Sequence, residues 1–125
     1  MTLHTSYYGG LRKLNLPGAT LVGISRTIPP YITEAYPNIQ HELLMAPSSS
    51  LLSLYKNKGM TPDHYKKVYL NQLSVSRVLP LAREWAGMST PVVLLCYEVP
   101  TAFCHRHILA EALRKYGIPI TEYGV

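Results

Sequence analysis

No apolar run in the chain approaches the roughly 18 residues that span a bilayer, so no membrane-spanning helix is expected. The opening MTLHTSYYGG lacks the basic-then-apolar layout of a secretory signal. Cysteine is scarce: Cys96 and Cys104 are too few for a disulfide framework, and a reducing compartment would keep them as thiols. Neither a GxGxxG nor a Walker loop is present, which argues against the standard dinucleotide and nucleoside triphosphate modes. Internal repeats, linkers and low-complexity tracts are also missing. These absences lead to the expectation of a cytoplasmic protein without membrane association. Acidic residues are missing from the N-terminal quarter: the first is Glu34, while Arg12, Lys13 and Arg26 come earlier.

What is present suits one globular unit. A length of 125 residues, 47% of them hydrophobic, is enough for one domain over residues 1–125 with a real core. The net charge of +5 is unevenly spread. A basic field of this kind attracts anions such as nucleotides, phosphorylated metabolites or nucleic acid, unless it is an ordinary solvated surface.

Leu3 to Ser6 reads as a short strand ending at Gly9-Gly10, where a tight turn is expected. Leu11 to Asn15 suits a helical turn, and Ala19 to Ser25 a second buried strand stopped before Pro29-Pro30. Residues 31 to 41 show no period and read as loop; Leu43 to Met45 reads as a strand. A serine among Ser48 to Ser50 should cap a helix to about Tyr55. Thr61-Pro62-Asp63 has the chemistry of a helix start, and that helix should reach Gln72, burying Tyr65, Val68 and Tyr69. A further helix is expected from near Arg77 to Ala86, with Pro80 confined to its first turn.

The most informative stretch is Pro91 to Tyr116. Val92 to Leu95 reads as a strand buried on both faces, with Cys96, Tyr97 and Glu98 at its end. A turn through Pro100 leads to a helix opening around Phe103 to Arg106. On that helix Cys104, Ile108, Ala112 and Tyr116 form one line, and His105, Leu109 and Leu113 its neighbour; both should face the sheet. Glu111 and Lys115 form an exposed i,i+4 pair. Gly117 should close the helix before a last strand, Ile118 to Glu122. The pattern predicts a single Rossmann-like, three-layer α/β domain with a mainly parallel sheet. Ligands of such folds gather beyond the carboxyl ends of the strands.

Leu94-Leu95-Cys96-Tyr97-Glu98 followed by Phe103-Cys104-His105-Arg106 resembles the pattern of domain-of-unknown-function family 488: a strand ending in Cys-x-Glu, a gap, then Cys-His-Arg opening a helix. Thr5 to Tyr8, Ile24-Ser25-Arg26 and Ala46-Pro47 to Tyr55 extend the likeness over nearly the whole chain. The resemblance implies a Rossmann-like fold and no settled activity. Where the family leads one to expect an acidic residue, this chain has Ser25.

The candidate site gathers Ser6, Arg12, Arg26, Cys96, Glu98, Cys104, His105 and Arg106. Cys104 at a helix N-terminus, beside His105 and Arg106, is placed for a reactive thiolate or for a buried core position. Cys96 has the same two readings. Glu98 can serve as nucleophile or general base, or can pair with Arg106 or Arg26. Arg26, Arg106 and Arg12 can converge on one anion with Ser6 and His105 beside them, because the guanidinium fork suits phosphate. The interval from Cys96 to Arg106 is too long for a phosphatase loop. The cysteine spacing does not match a zinc knuckle, so neither metal nor cofactor is expected. Basic and aromatic residues interleave from Tyr55 to Tyr69, a pattern that fits core packing under a solvated lysine face better than base stacking. The expected function is binding of a phosphate-bearing ligand, nucleotide or nucleic acid, with Glu98 or a cysteine acting on it in a glycosidase- or transferase-type reaction. The competing expectation is a non-catalytic nucleic-acid- or protein-binding module.

Overall fold

The computed structural model describes residues 3–123. Five strands, β1 (Leu3–Tyr7), β2 (Thr20–Gly23), β3 (Gln40–His41), β4 (Val92–Cys96) and β5 (Thr121–Glu122), form one sheet in the order β3-β2-β4-β1-β5. Every pairing is parallel. The expected α/β architecture is therefore present. The central strand, β4, has all five residues buried because it is paired on both sides and covered on both faces. The edge strands β3 and β5 are two residues each, which leaves little unpaired backbone for another chain.

The two faces are covered unequally. Helices α2 (Ser49–Asn57), α3 (Pro62–Gln72), α4 (Val75–Ala86) and α5 (His105–Lys115) pack on one face. Their core includes Leu51, Tyr69, Val78, Trp85, Leu109 and Leu113 against Val22, Val92 and Leu94. The other face is covered by a 3-10 turn, Tyr8–Lys13, and the short helix α1 (Pro30–Ala35). Tyr8, Leu11 and Ile32 meet Val93 and Leu95 there. Alternation along β4 divides its side chains between these two cores.

Local chemistry sets several boundaries as the sequence implies. The Thr61 hydroxyl accepts from the His64 amide at 3.2 Å, with Pro62 at the first helical position. The Ser48 hydroxyl likewise accepts from the Leu51 amide at 3.1 Å. Helix α5 ends at Gly117, whose φ of 81° only glycine adopts freely. Amides of Gly117 and Ile118 bond back to the carbonyls of Arg114 and Leu113 at 3.0 and 3.1 Å, completing a Schellman cap.

Other expectations are corrected. Residues 31 to 41 hold α1 and β3 rather than loop; Pro30 opens the helix at its first turn, where a missing amide costs nothing. Leu43–Met45 is a 3-10 turn instead of a strand, with the Glu42 carboxylate accepting from the Leu44 amide at 3.1 Å. Helix α4 starts at Val75, so Pro80 lies beyond its first turn. Gly9 and Gly10 do not adopt positive φ. They make room for the Tyr7 ring, whose Cε1 would lie 2.9 Å from a Cβ on Gly10. On α5 the first line of side chains leaves the sheet at its end: Tyr116 is exposed, while Arg106 and Ala110 are buried.

Candidate functional site

The connections leaving β2 and β4 diverge. From β2 the chain passes through α1 on one face to β3; from β4 it passes through α5 on the other face to β5. Adjacent parallel strands whose connections part in this way leave a crevice at their carboxyl ends. Here the crevice is a pocket of about 480 Å³, bounded by Ser25, Arg26 and Thr27 after β2 and by Cys96, Tyr97 and Glu98 at the end of β4. Cys104 and His105 at the start of α5 complete the floor, and Tyr55, Lys56, Tyr65 and Phe103 form the far wall.

The β2 end is held by polar contacts that use up Ser25. Its hydroxyl donates to the Thr27 carbonyl at 2.5 Å and so accepts from the Tyr8 hydroxyl at 2.6 Å. His41 Nε2 donates to the Ser25 carbonyl at 2.7 Å. Burial is the main reason that the Tyr8 hydroxyl is pushed up to about 12. Thr27 reaches across to the Tyr97 hydroxyl at 3.1 Å, joining the two strand-end loops. Arg26 is half-buried, and its Nε donates to the Pro47 carbonyl at 3.2 Å.

His105 is almost wholly buried. A carbonyl can only accept, so the 2.7 Å contact between His105 Nε2 and the Ile24 carbonyl puts the ring proton on Nε2. Nδ1 then presents its lone pair toward Cys104 Sγ at 3.7 Å. Burial pushes the imidazole down to about 4, with the Arg106 charge acting in the same direction, so the ring is neutral at physiological pH. The sulfurs of Cys96 and Cys104 lie at bonding distance and the structure pairs them, against the expectation of two separate thiols, because the end of β4 and the start of α5 bring them together. These two sulfurs and the His105 ring nitrogen all lie within 4.8 Å of one another.

Arg106 lies behind the floor of the pocket and is fully buried. Its Nε and Nη2 donate to the two oxygens of Glu122 at 3.1 and 2.8 Å. Nη1 donates to Cys96 Sγ at 2.9 Å and to the Glu98 carbonyl at 2.6 Å. The expected pairing of Glu98 with Arg106 is thus replaced by a Glu122 pair, and Arg106 has no free face for an anion. Burial works against ionisation of Glu122, but hydrogen bonds from Arg106 and Thr5 outweigh it and hold the carboxyl below its ordinary range. The Glu98 side chain is exposed at the pocket mouth. Burial first, and then the Glu98 charge, raises the nearby Tyr65 hydroxyl.

Of the residues expected at the site, Arg26, Cys96, Glu98, Cys104 and His105 meet around the pocket. Ser6 is buried within β1 opposite Leu95, and Arg12 is exposed on the 3-10 turn; neither lines the pocket. Lys56 and the aromatic wall were not among those candidates. Tyr55, Tyr65 and Phe103 pack with ring centroids 5.1 to 5.4 Å apart. Their share in the pocket arises because α2 and α3 cross beside the start of α5. The family model DUF488-N3a, described as the active DUF488-N3 subclade, matches residues 13–117. The chain belongs to the DUF488 family. No curated protein and no solved structure matches it. Among the described residues no helix is long and apolar enough to cross a membrane.

Proposed function

We propose that the strand-end pocket binds a phosphate-bearing ligand of nucleotide size and that Glu98 acts on it in a glycosidase- or transferase-type reaction. The supporting observation is the pairing of two cations, Arg26 and Lys56, with an aromatic wall in one cavity of about 480 Å³. Guanidinium and ammonium groups receive the phosphate, while Tyr55, Tyr65 and Phe103 offer faces and edges to a planar ring. Glu98 is the reactive carboxylate in this reading because it is exposed to the cavity and its side chain has no hydrogen-bonded partner among the described residues. The cysteines are less suited to act as free nucleophiles, since each sulfur abuts the other. Arg106 and Glu122 then hold the floor.

Titration with nucleoside monophosphates and their unphosphorylated nucleosides tests the reading. Monophosphates should bind at least about tenfold more tightly, a difference of about 1.4 kcal/mol, and Arg26→Ala with Lys56→Ala should remove the preference. Equal binding of both ligand sets, or none, sinks it. Glu98→Gln should keep binding and lose turnover.

The burial of Arg106 and His105 in internal hydrogen bonds favours a second reading, a non-catalytic module in which these residues only shape the pocket. Binding without turnover, unchanged by Glu98→Gln, would support that alternative.

A further inference from the structure

We propose that Cys96 Sγ, Cys104 Sγ and His105 Nδ1 together bind one zinc ion whose fourth position opens into the strand-end pocket. The three donors come from the end of β4 and the start of α5, are all buried, and lie within 4.8 Å of one another. Two sulfurs with an imidazole form a donor set for a soft or borderline ion, unlike the oxygen shells of magnesium or calcium. Sequence spacing argued against a metal because no close cysteine pair is present; the fold supplies the convergence instead.

The surroundings of the donors support the site independently. A ligating imidazole usually donates its other ring N–H to a carbonyl or carboxylate, which fixes the tautomer. His105 does this to the Ile24 carbonyl at 2.7 Å, leaving the Nδ1 lone pair aimed at the sulfurs. Arg106 donates to Cys96 Sγ at 2.9 Å, as an outer group bonded to a ligating thiolate would, and Glu122 balances its charge. The Cα atoms of Cys96 and Cys104 are 7.8 Å apart, beyond the span of about 4.4–6.8 Å usual for a disulfide. In the reduced protein the two sulfurs must part from their present contact to take an ion with bonds of about 2.3 Å to each, and the wide Cα spacing gives them room to do so.

Three protein ligands with an open position characterise catalytic rather than closed structural zinc. The open position faces the cavity shared with Glu98, so a water or a ligand oxygen from the cavity would complete the shell. The inference does not rest on phosphate recognition by Arg26 and Lys56, and it can stand or fall separately.

The test is a cobalt titration of the reduced, chelator-stripped full chain, followed by competition with zinc. Thiolate-to-cobalt charge transfer and tetrahedral visible bands should saturate at one ion per chain, and zinc should bleach them. Cys104→Ser should roughly halve the charge-transfer intensity, and His105→Ala should weaken affinity by more than about tenfold. Zinc should also raise the melting temperature of the wild type, because binding to the folded state adds to its stability. Absence of charge transfer in reduced wild-type protein at saturating cobalt overturns the proposal, whatever the variants do. Bands unchanged in Cys104→Ser also overturn it. Arg26→Ala should leave the cobalt spectrum intact, which separates this outcome from the fate of the phosphate reading.

Discussion

Arg106 and Glu122 form a two-pronged ion pair between the first turn of α5 and the last strand, with contacts of 3.1 and 2.8 Å. The guanidinium is wholly buried and the carboxylate is 12% exposed. Thr5 on β1 donates to the same carboxylate at 2.6 Å, and Arg106 reaches on to Cys96 and the Glu98 carbonyl. Arg106 therefore ties β4 and β5 to the helix that carries the pocket floor, and Glu122 joins β1 to the same network.

Removing one partner of such a buried pair leaves an uncompensated charge, at a cost of about 3–5 kcal/mol. Glu122→Ala should lower the urea midpoint accordingly, whereas Lys66→Ala, which breaks the exposed contact of 2.8 Å with Glu111, should leave it nearly unchanged. Equal effects of the two substitutions would contradict this account of Arg106.

Stability should fall on acidification, with His105 as one source. Its folded-state value is lowered from 6.5 to about 4, so the unfolded chain binds the extra proton first. Its contribution is complete above about 6.5, is lost as pH falls toward 4, and amounts to a few kcal/mol on the order of 1.4 per pH unit. Glu122, whose value is also lowered, loses its contribution at lower pH still, as the folded carboxyl protonates. Denaturant unfolding between pH 7 and pH 4 should show the His105 slope flattened in His105→Gln; an unaltered slope would assign it elsewhere.

Tyr69 is fully buried, and its hydroxyl donates to the Met45 carbonyl at 2.6 Å. Tyr69→Phe leaves that carbonyl without its partner, which should cost about 1–3 kcal/mol in an unfolding titration. No loss would mean that the carbonyl finds another donor.

Gly23, at the end of β2, has no room for a side chain. A Cβ there would lie 2.7 Å from both Ile28 Cδ1 and the Tyr8 hydroxyl. Gly23→Ala should destabilise the protein by about 1–3 kcal/mol through overpacking. It should also disturb the Tyr8–Ser25 contact and weaken ligand binding at the pocket; unchanged stability and binding would show that Tyr8 and Ile28 yield freely.

The sequence alone was enough to establish the parallel α/β class, the buried β4, a serine cap within Ser48 to Ser50, the caps at Thr61 and Gly117, and the closeness of Cys96, Glu98, Cys104 and His105. These are properties of local order: period, capping chemistry and strand-then-helix spacing are carried by neighbours along the chain. Tertiary structure decided the partners. Glu122 takes Arg106 because β5 returns beside β1, and no local rule relates residues 16 positions apart across a helix. Arg12 left the site because its turn covers one face of the sheet, and Ser6 because its strand is packed inside. The aromatic wall entered through the crossing of α2 and α3 beside α5. Their tyrosines follow the spacing of a core face, and whether such a face meets another core or a cavity depends on how the helices pack.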